Sequence, residues 1–118
     1  MSHAMPTQDL LDCMQACVEC SSSCAQCAHH CLHMGDDHGA PTHQGLMQDC
    51  AEICGVTARF LARASHHASS LCEECAEICA ACAESCERLA EGDAMMQRCA
   101  EICRYCALEC SKMVGATV

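Results

Sequence analysis

From Leu10 to Met113 the residues that avoid water return at alternating steps of three and four, and at most of these positions the residue is cysteine. The first run sets the pattern, with Cys13, Cys17, Cys20, Cys24, Cys27 and Cys31 spaced four, three, four, three and four. This is the period of an amphipathic helix whose apolar stripe faces a core. Leu, Ile or Val would ordinarily fill such a seam, but here it carries thiols.

The same period predicts four helices. The first runs from about residue 9 to 33, with Thr7 or Asp9 as its cap and a short arm over residues 1–7 before it. A loop follows through Gly35, Asp36, Asp37, His38, Gly39, Ala40, Pro41 and Thr42, each a breaker or a polar residue. The second helix is expected over 45–69, with a break across Ser65–Ser70. The third covers 71–91 and the fourth 94–113, with Gly92 as the stop between them and Asp93 as the next cap. The chain then frays from Gly115 to Val118. An internal repeat joins the four. Cys75–Cys82 reads CAEICAAC, Cys99–Cys106 reads CAEICRYC, and Cys13–Cys20 reads CMQACVEC. Cys50–Thr57 reads CAEICGVT, so Thr57 replaces the third cysteine of the unit, and the seam runs on through Leu61 and Ala64 without thiols. Four similar helices with short connections predict an all-α fold, an antiparallel up-down four-helix bundle in one domain over 1–118. Glu19, Glu52, Glu73, Glu77, Glu84, Glu87, Glu101 and Glu109 lie off the seams and read as solvated, while Ile53, Ile78 and Ile102 flank them.

Composition narrows what such a core does. Of 118 residues 17 are Cys, and the aromatic residues are Phe60 and Tyr105 alone. A formal charge of −10, with six Lys and Arg against sixteen Asp and Glu, argues against nucleic acid as a partner. The first dozen residues show no basic leader and no apolar run long enough to span a membrane, which predicts a cytoplasmic protein with no membrane partner. In that reducing compartment cysteines read as metal ligands before disulfides. No single thiol has the defined partner that nucleophilic or redox catalysis needs, and phosphate loops and dinucleotide fingerprints are absent, so the chain does not read as an enzyme.

Thiols at i and i+4, or i and i+3, stand about 5 to 6 Å apart at Cβ on one helix face. Two thiolates so placed can clamp one soft monovalent ion, and Cu(I) is the ion that thiolate ligands select. Overlapping clamps let one sulfur serve two metals, so capacity approaches one ion per cysteine, about seventeen Cu(I). Charge points the same way, because a buried thiolate needs a compensating cation and one Cu(I) for each leaves the core neutral. Zinc wants four ligands, of which one straight helix offers two. A general soft-metal buffer for Zn, Cd or Ag stays open as the alternative, as does an iron-sulfur or thiol redox protein, although cluster motifs sit in compact loops rather than on long helices.

In an up-down bundle the end of the first helix, the start of the second, the end of the third and the start of the fourth share one pole. That pole gathers His29, His30, His33, Met34, His38, His43, Met47, Met95 and Met96. Imidazole and thioether hold Cu(I) less tightly than paired thiolates, and His33, Met47 and Met96 are the candidate residues through which the ion passes inward. The opposite pole holds Leu10, Leu61, Ala64, Leu71 and Met113, read as an apolar plug.

The C-x-x-x-C-x-x-C seams on four helices, with the His-bearing loop and no leader, resemble the bacterial copper storage proteins of the cytosolic branch, across residues 9 to 113. The resemblance implies a four-helix bundle that stores many Cu(I) ions within each subunit and assembles as a homotetramer. It implies as ligands Cys13, Cys17, Cys20, Cys24, Cys27, Cys31, Cys50, Cys54, Cys72, Cys75, Cys79, Cys82, Cys86, Cys99, Cys103, Cys106 and Cys110.

Overall fold

The computed structural model describes residues 7–115. Most of the arm expected over residues 1–7, and the tail beyond Gly115, lie outside them. Four helices form, α1 over Gln8–Met34, α2 over Pro41–Ala62, α3 over Ala68–Leu89 and α4 over Ala94–Met113. Consecutive helices pack on one another, and α4 closes the ring against α1, giving an antiparallel up-down bundle.

Local chemistry sets most of the ends. Thr7 Oγ1 accepts from the Leu10 N–H at 3.1 Å and caps α1. At the other end Gly35 turns at φ 73°, and its N–H donates to the Cys31 carbonyl at 3.1 Å. A single 3₁₀ turn, Asp36–Gly39, then leads into α2. Asp93 accepts from the Met96 N–H at 3.1 Å and caps α4, while Gly92, at φ 73°, makes the turn in front of it.

Helix α2 departs from expectation at both ends. It starts at Pro41, not near 45, because proline lacks an N–H that a first helical position has no use for and its fixed φ suits the helix. It stops at Ala62, not at 69. Ser65 N–H donates to the Phe60 carbonyl at 3.0 Å and Ala64 N–H to Leu61 at 3.0 Å, which is the Schellman closure. The left-handed residue of that closure, usually glycine, is Ala64 at φ 50°. Helix α3 can therefore begin at Ala68, three residues earlier than the break across Ser65–Ser70 suggested.

The core is a column of sulfur closed at one pole by hydrocarbon. All seventeen cysteines are buried, and none is in a disulfide. Leu10, Leu61, Ala68 and Met113 close the thiol-poor pole. Ala64, read as part of that plug, is exposed in its turn, Leu71 is half-buried, and Ala68 takes the inner place. Ile53, Ile78 and Ile102 pack on the flanks of the core. The expected outward glutamates are exposed except Glu109, which is buried with its carboxylate 2.6 Å from Lys112 Nζ. Ser21, in the serine triplet that weakens the centre of α1, donates to the Ala51 carbonyl of α2 at 2.7 Å. Gly55 makes room for this stitch, since a Cβ there would lie 3.3 Å from Ser21 Oγ.

Candidate metal centre

Because every seam steps by three and four, each helix turns its thiols inward, and the four seams meet sulfur to sulfur. Near the plug Cys110 Sγ lies 3.7 Å from both Cys13 and Cys17. One layer on, Cys106 reaches Cys17 at 3.8 Å and Cys54 at 3.9 Å, and Cys54 reaches Cys75 at 3.6 Å and Cys79 at 3.5 Å. Cys50 then joins Cys79 at 3.6 Å to Cys20 at 3.7 Å. Cys20 and Cys24 both meet Cys103, at 3.8 and 3.4 Å, and Cys24 also meets Cys99 at 3.9 Å and Cys82 at 4.0 Å. The result is one unbroken ladder from Cys13 to Cys99.

Across helices these sulfurs fall into groups of four with all ligand atoms within 4.8 Å of one another. Cys17, Cys75, Cys106 and Cys110 form one, Cys20, Cys50, Cys54 and Cys79 a second, and Cys54, Cys75, Cys79 and Cys106 a third. Four-thiol geometry is thus available, which a single helix could not supply. The groups overlap, however, since Cys54, Cys75, Cys79 and Cys106 each belong to two of those just named. Ions placed in them must share bridging sulfurs, a habit that suits a chain of low-coordinate soft ions better than separate tetrahedra.

The same closeness sets the acidity of the thiols. S–H donation from Cys103 and Cys24 lowers Cys82 to about 6. Cys99 and Cys50 are likewise lowered, in each case first by Cys103, while Cys103 is itself raised, first by its bond to Cys20. Neighbours that keep their protons therefore stabilise the first thiolates to form.

At the other pole the ladder changes donor. Met96 Sδ accepts from Cys27 Sγ at 3.3 Å and from Cys31 Sγ at 3.1 Å. Met47 and Met96 are fully buried. His43 is buried too, with Nε2 3.4 Å from Cys31 Sγ and Nδ1 2.7 Å from Ser85 Oγ. Burial, then the nearby His38 imidazole, pushes the His43 pKa below the usual imidazole range, and burial pushes the Cys31 thiol up. A neutral ring thus stands against an un-ionised thiol at the mouth of the ladder.

Of the three residues expected to pass the ion inward, Met47 and Met96 lie inside and His33 does not. His33 is exposed and lies 3.1 Å from His29. His43 holds the inner place, and the spacing contained the signal, because His43, Met47, Cys50 and Cys54 step by four, three and four. It is visible only if α2 begins at Pro41. His30 and His38 tie the pole together instead, His30 reaching Asp93 at 2.7 Å and His38 the Leu89 carbonyl at 3.1 Å. Ser85, the partner of His43, lies off the seam and carried no sequence signal.

The family model described as "Copper storage protein" matches residues 6–115. The chain belongs to the copper storage protein family. Solved structures from the family have the same fold. The Cu(I)-bound copper storage protein BsCsp3 is 30% identical, with a TM-score of 0.82, over 91% of this chain and 99% of that one. A cytosolic copper storage protein from Streptomyces lividans, carrying five coppers, is 28% identical, with a TM-score of 0.79, over 92% and 94%. The Nmul_A1745 protein from Nitrosospira multiformis is also similar, at 42% identity and a TM-score of 0.86 over 92% and 96%. A comparison with curated protein sequences gives no match.

Proposed function

We propose that this copper storage protein holds Cu(I) along its whole thiolate ladder, about one ion for each of the seventeen cysteines. The observation that carries the reading is that every cysteine is buried within one bundle, most of them in overlapping groups that demand shared sulfurs. One Cu(I) per thiolate neutralises such a core, whereas zinc in Cys₄ sites would leave about two negative charges at each.

The role is storage and sequestration rather than catalysis, in the cytoplasm, as the Streptomyces relative described as cytosolic supports. No helix of the described residues is long and apolar enough to cross a membrane. Copper passes in at the pole of His43, Met47 and Met96, where imidazole and thioether precede the thiols. The subunits assemble as a homotetramer, in keeping with Leu11, Val18, Tyr105 and Leu108 left exposed on α1 and α4. The four-thiol groups favour one competitor, a general soft-metal buffer.

An anaerobic titration of fully reduced apo-protein with Cu(I), read against a chromophoric chelator and repeated with excess Zn(II), separates the two. Saturation near one copper per cysteine, unmoved by zinc, is the expected result. Saturation at a few ions, or loss of copper to zinc, refutes the storage reading.

A further inference from the structure

Two histidines at the mouth end take no part in the ladder. His29 and His33 are one turn apart on α1, and each lies two positions from Cys31, about 200° around the helix. They therefore occupy the back of α1 relative to the core thiol, and both are exposed. Neither can share an ion with Cys31.

Their rings nonetheless converge. Nε2 of His33 stands 3.1 Å from Nε2 of His29, with ring centroids 4.5 Å apart and planes at 85°. A divalent ion bound by two imidazoles at about 2.0 to 2.1 Å from each nitrogen needs those nitrogens about 2.9 Å apart at a right angle and about 3.3 Å apart in a tetrahedron. The observed spacing falls between these values, and the hydrogen bond the two nitrogens share is what a metal ion would replace, so the pair can chelate without moving α1. His30, beside them, is committed to Asp93 at 2.7 Å and leaves the pair to itself. Gln26 and Met95 line the same open cleft, which leaves room for water to fill the remaining positions.

We propose that His29 and His33 form an exterior site for a divalent, imidazole-preferring metal ion, Cu(II), Ni(II) or Zn(II), separate from the buried Cu(I) core. The donor set decides the class, because neutral imidazole suits these ions while the thiolates inside select soft monovalent ones. The chain's charge of −10 favours any cation at its surface.

The test uses protein saturated with Cu(I), so that its thiols are occupied, with copper content measured beforehand to separate incomplete loading from failure of the pair. Calorimetric titration with Ni(II) is expected to show one site per chain. His29→Gln and His33→Gln, each at an exposed position that leaves the fold intact, should each weaken it by at least about tenfold, one of two coordinate bonds being lost. His66→Gln/His67→Gln, exposed at the other pole, should leave it unchanged. Nickel affinity that stays within about twofold in both single variants overturns the proposal, as does a thiolate-to-nickel charge-transfer band in the wild type.

Discussion

Thr57 stands where the repeat would place a cysteine, and it is fully buried with no partner for its Oγ1 among the described residues. A buried hydroxyl without a hydrogen bond costs about 1 to 3 kcal/mol in mutational series. Thr57→Val replaces that hydroxyl with a methyl of nearly the same size and leaves no cavity. The reduced apo-protein should gain about 1 to 2 kcal/mol, which for a chain of this length is about 4 to 8 °C in Tm. Urea unfolding under anaerobic conditions, with the dependence on denaturant unchanged, measures the gain directly. Unaltered or reduced stability would show that the hydroxyl is satisfied, and the reasoning would fail. A companion variant, Thr57→Cys, restores the full C-x-x-x-C-x-x-C unit in α2. Its Cu(I) saturation point should rise by about one ion, since each added thiol completes a shared clamp.

Three further outcomes follow from the helix ends and the mouth. Ala64→Gly should stabilise the apo-protein by about 0.5 to 1 kcal/mol in thermal unfolding, because glycine takes the left-handed turn without the Cβ clash that alanine bears. His43 is held below its ordinary value of 6.5, so the unfolded chain binds the proton more readily and acid favours unfolding. Apo stability should accordingly fall as the pH drops through 6.5 toward the folded-state value, and His43→Gln should flatten that slope in unfolding curves taken from about pH 8 to pH 5. Met96→Leu, which keeps the volume but removes the sulfur between Cys27 and Cys31, should slow Cu(I) transfer from a chelator in stopped-flow without changing final capacity. His33→Gln should leave that rate alone, and the reverse pattern would return the route to His33.

How far the sequence could be read depended on which interactions are periodic. The cysteine seams follow from spacing alone, since a residue that repeats at three and four can face only one side of a helix, and the bundle follows from four such helices joined by short connections. Thr7 and Asp93 were legible because a cap acts through its own side chain on the N–H three residues ahead. The ends of α2 were not. Pro41 sits among residues that usually break helices, and Ala64 adopts a conformation that only its two closing hydrogen bonds reveal. That misplaced start hid His43, putting an inward ligand-type residue into a loop. Partners brought together across helices, such as Ser85 against His43 or Ser21 against Ala51, leave no trace in the order of residues. Glu109 differs: its partner Lys112 lies one turn on in the same helix, but the burial of Glu109 itself does not show in the spacing.

The burial of every thiol has a consequence for how copies of the molecule meet. A protein in which 17 of 118 residues are cysteine would ordinarily be prone to crosslinking its neighbours whenever conditions turn oxidising. Here each sulfur lies behind a wall of helix, so two colliding molecules present one another with carboxylates, alanines and histidines and no thiol. Intermolecular disulfide exchange needs a thiolate that can be reached. The bundle can therefore be concentrated in a cell without joining into covalent aggregates, and its sulfur stays free of bonds to other molecules.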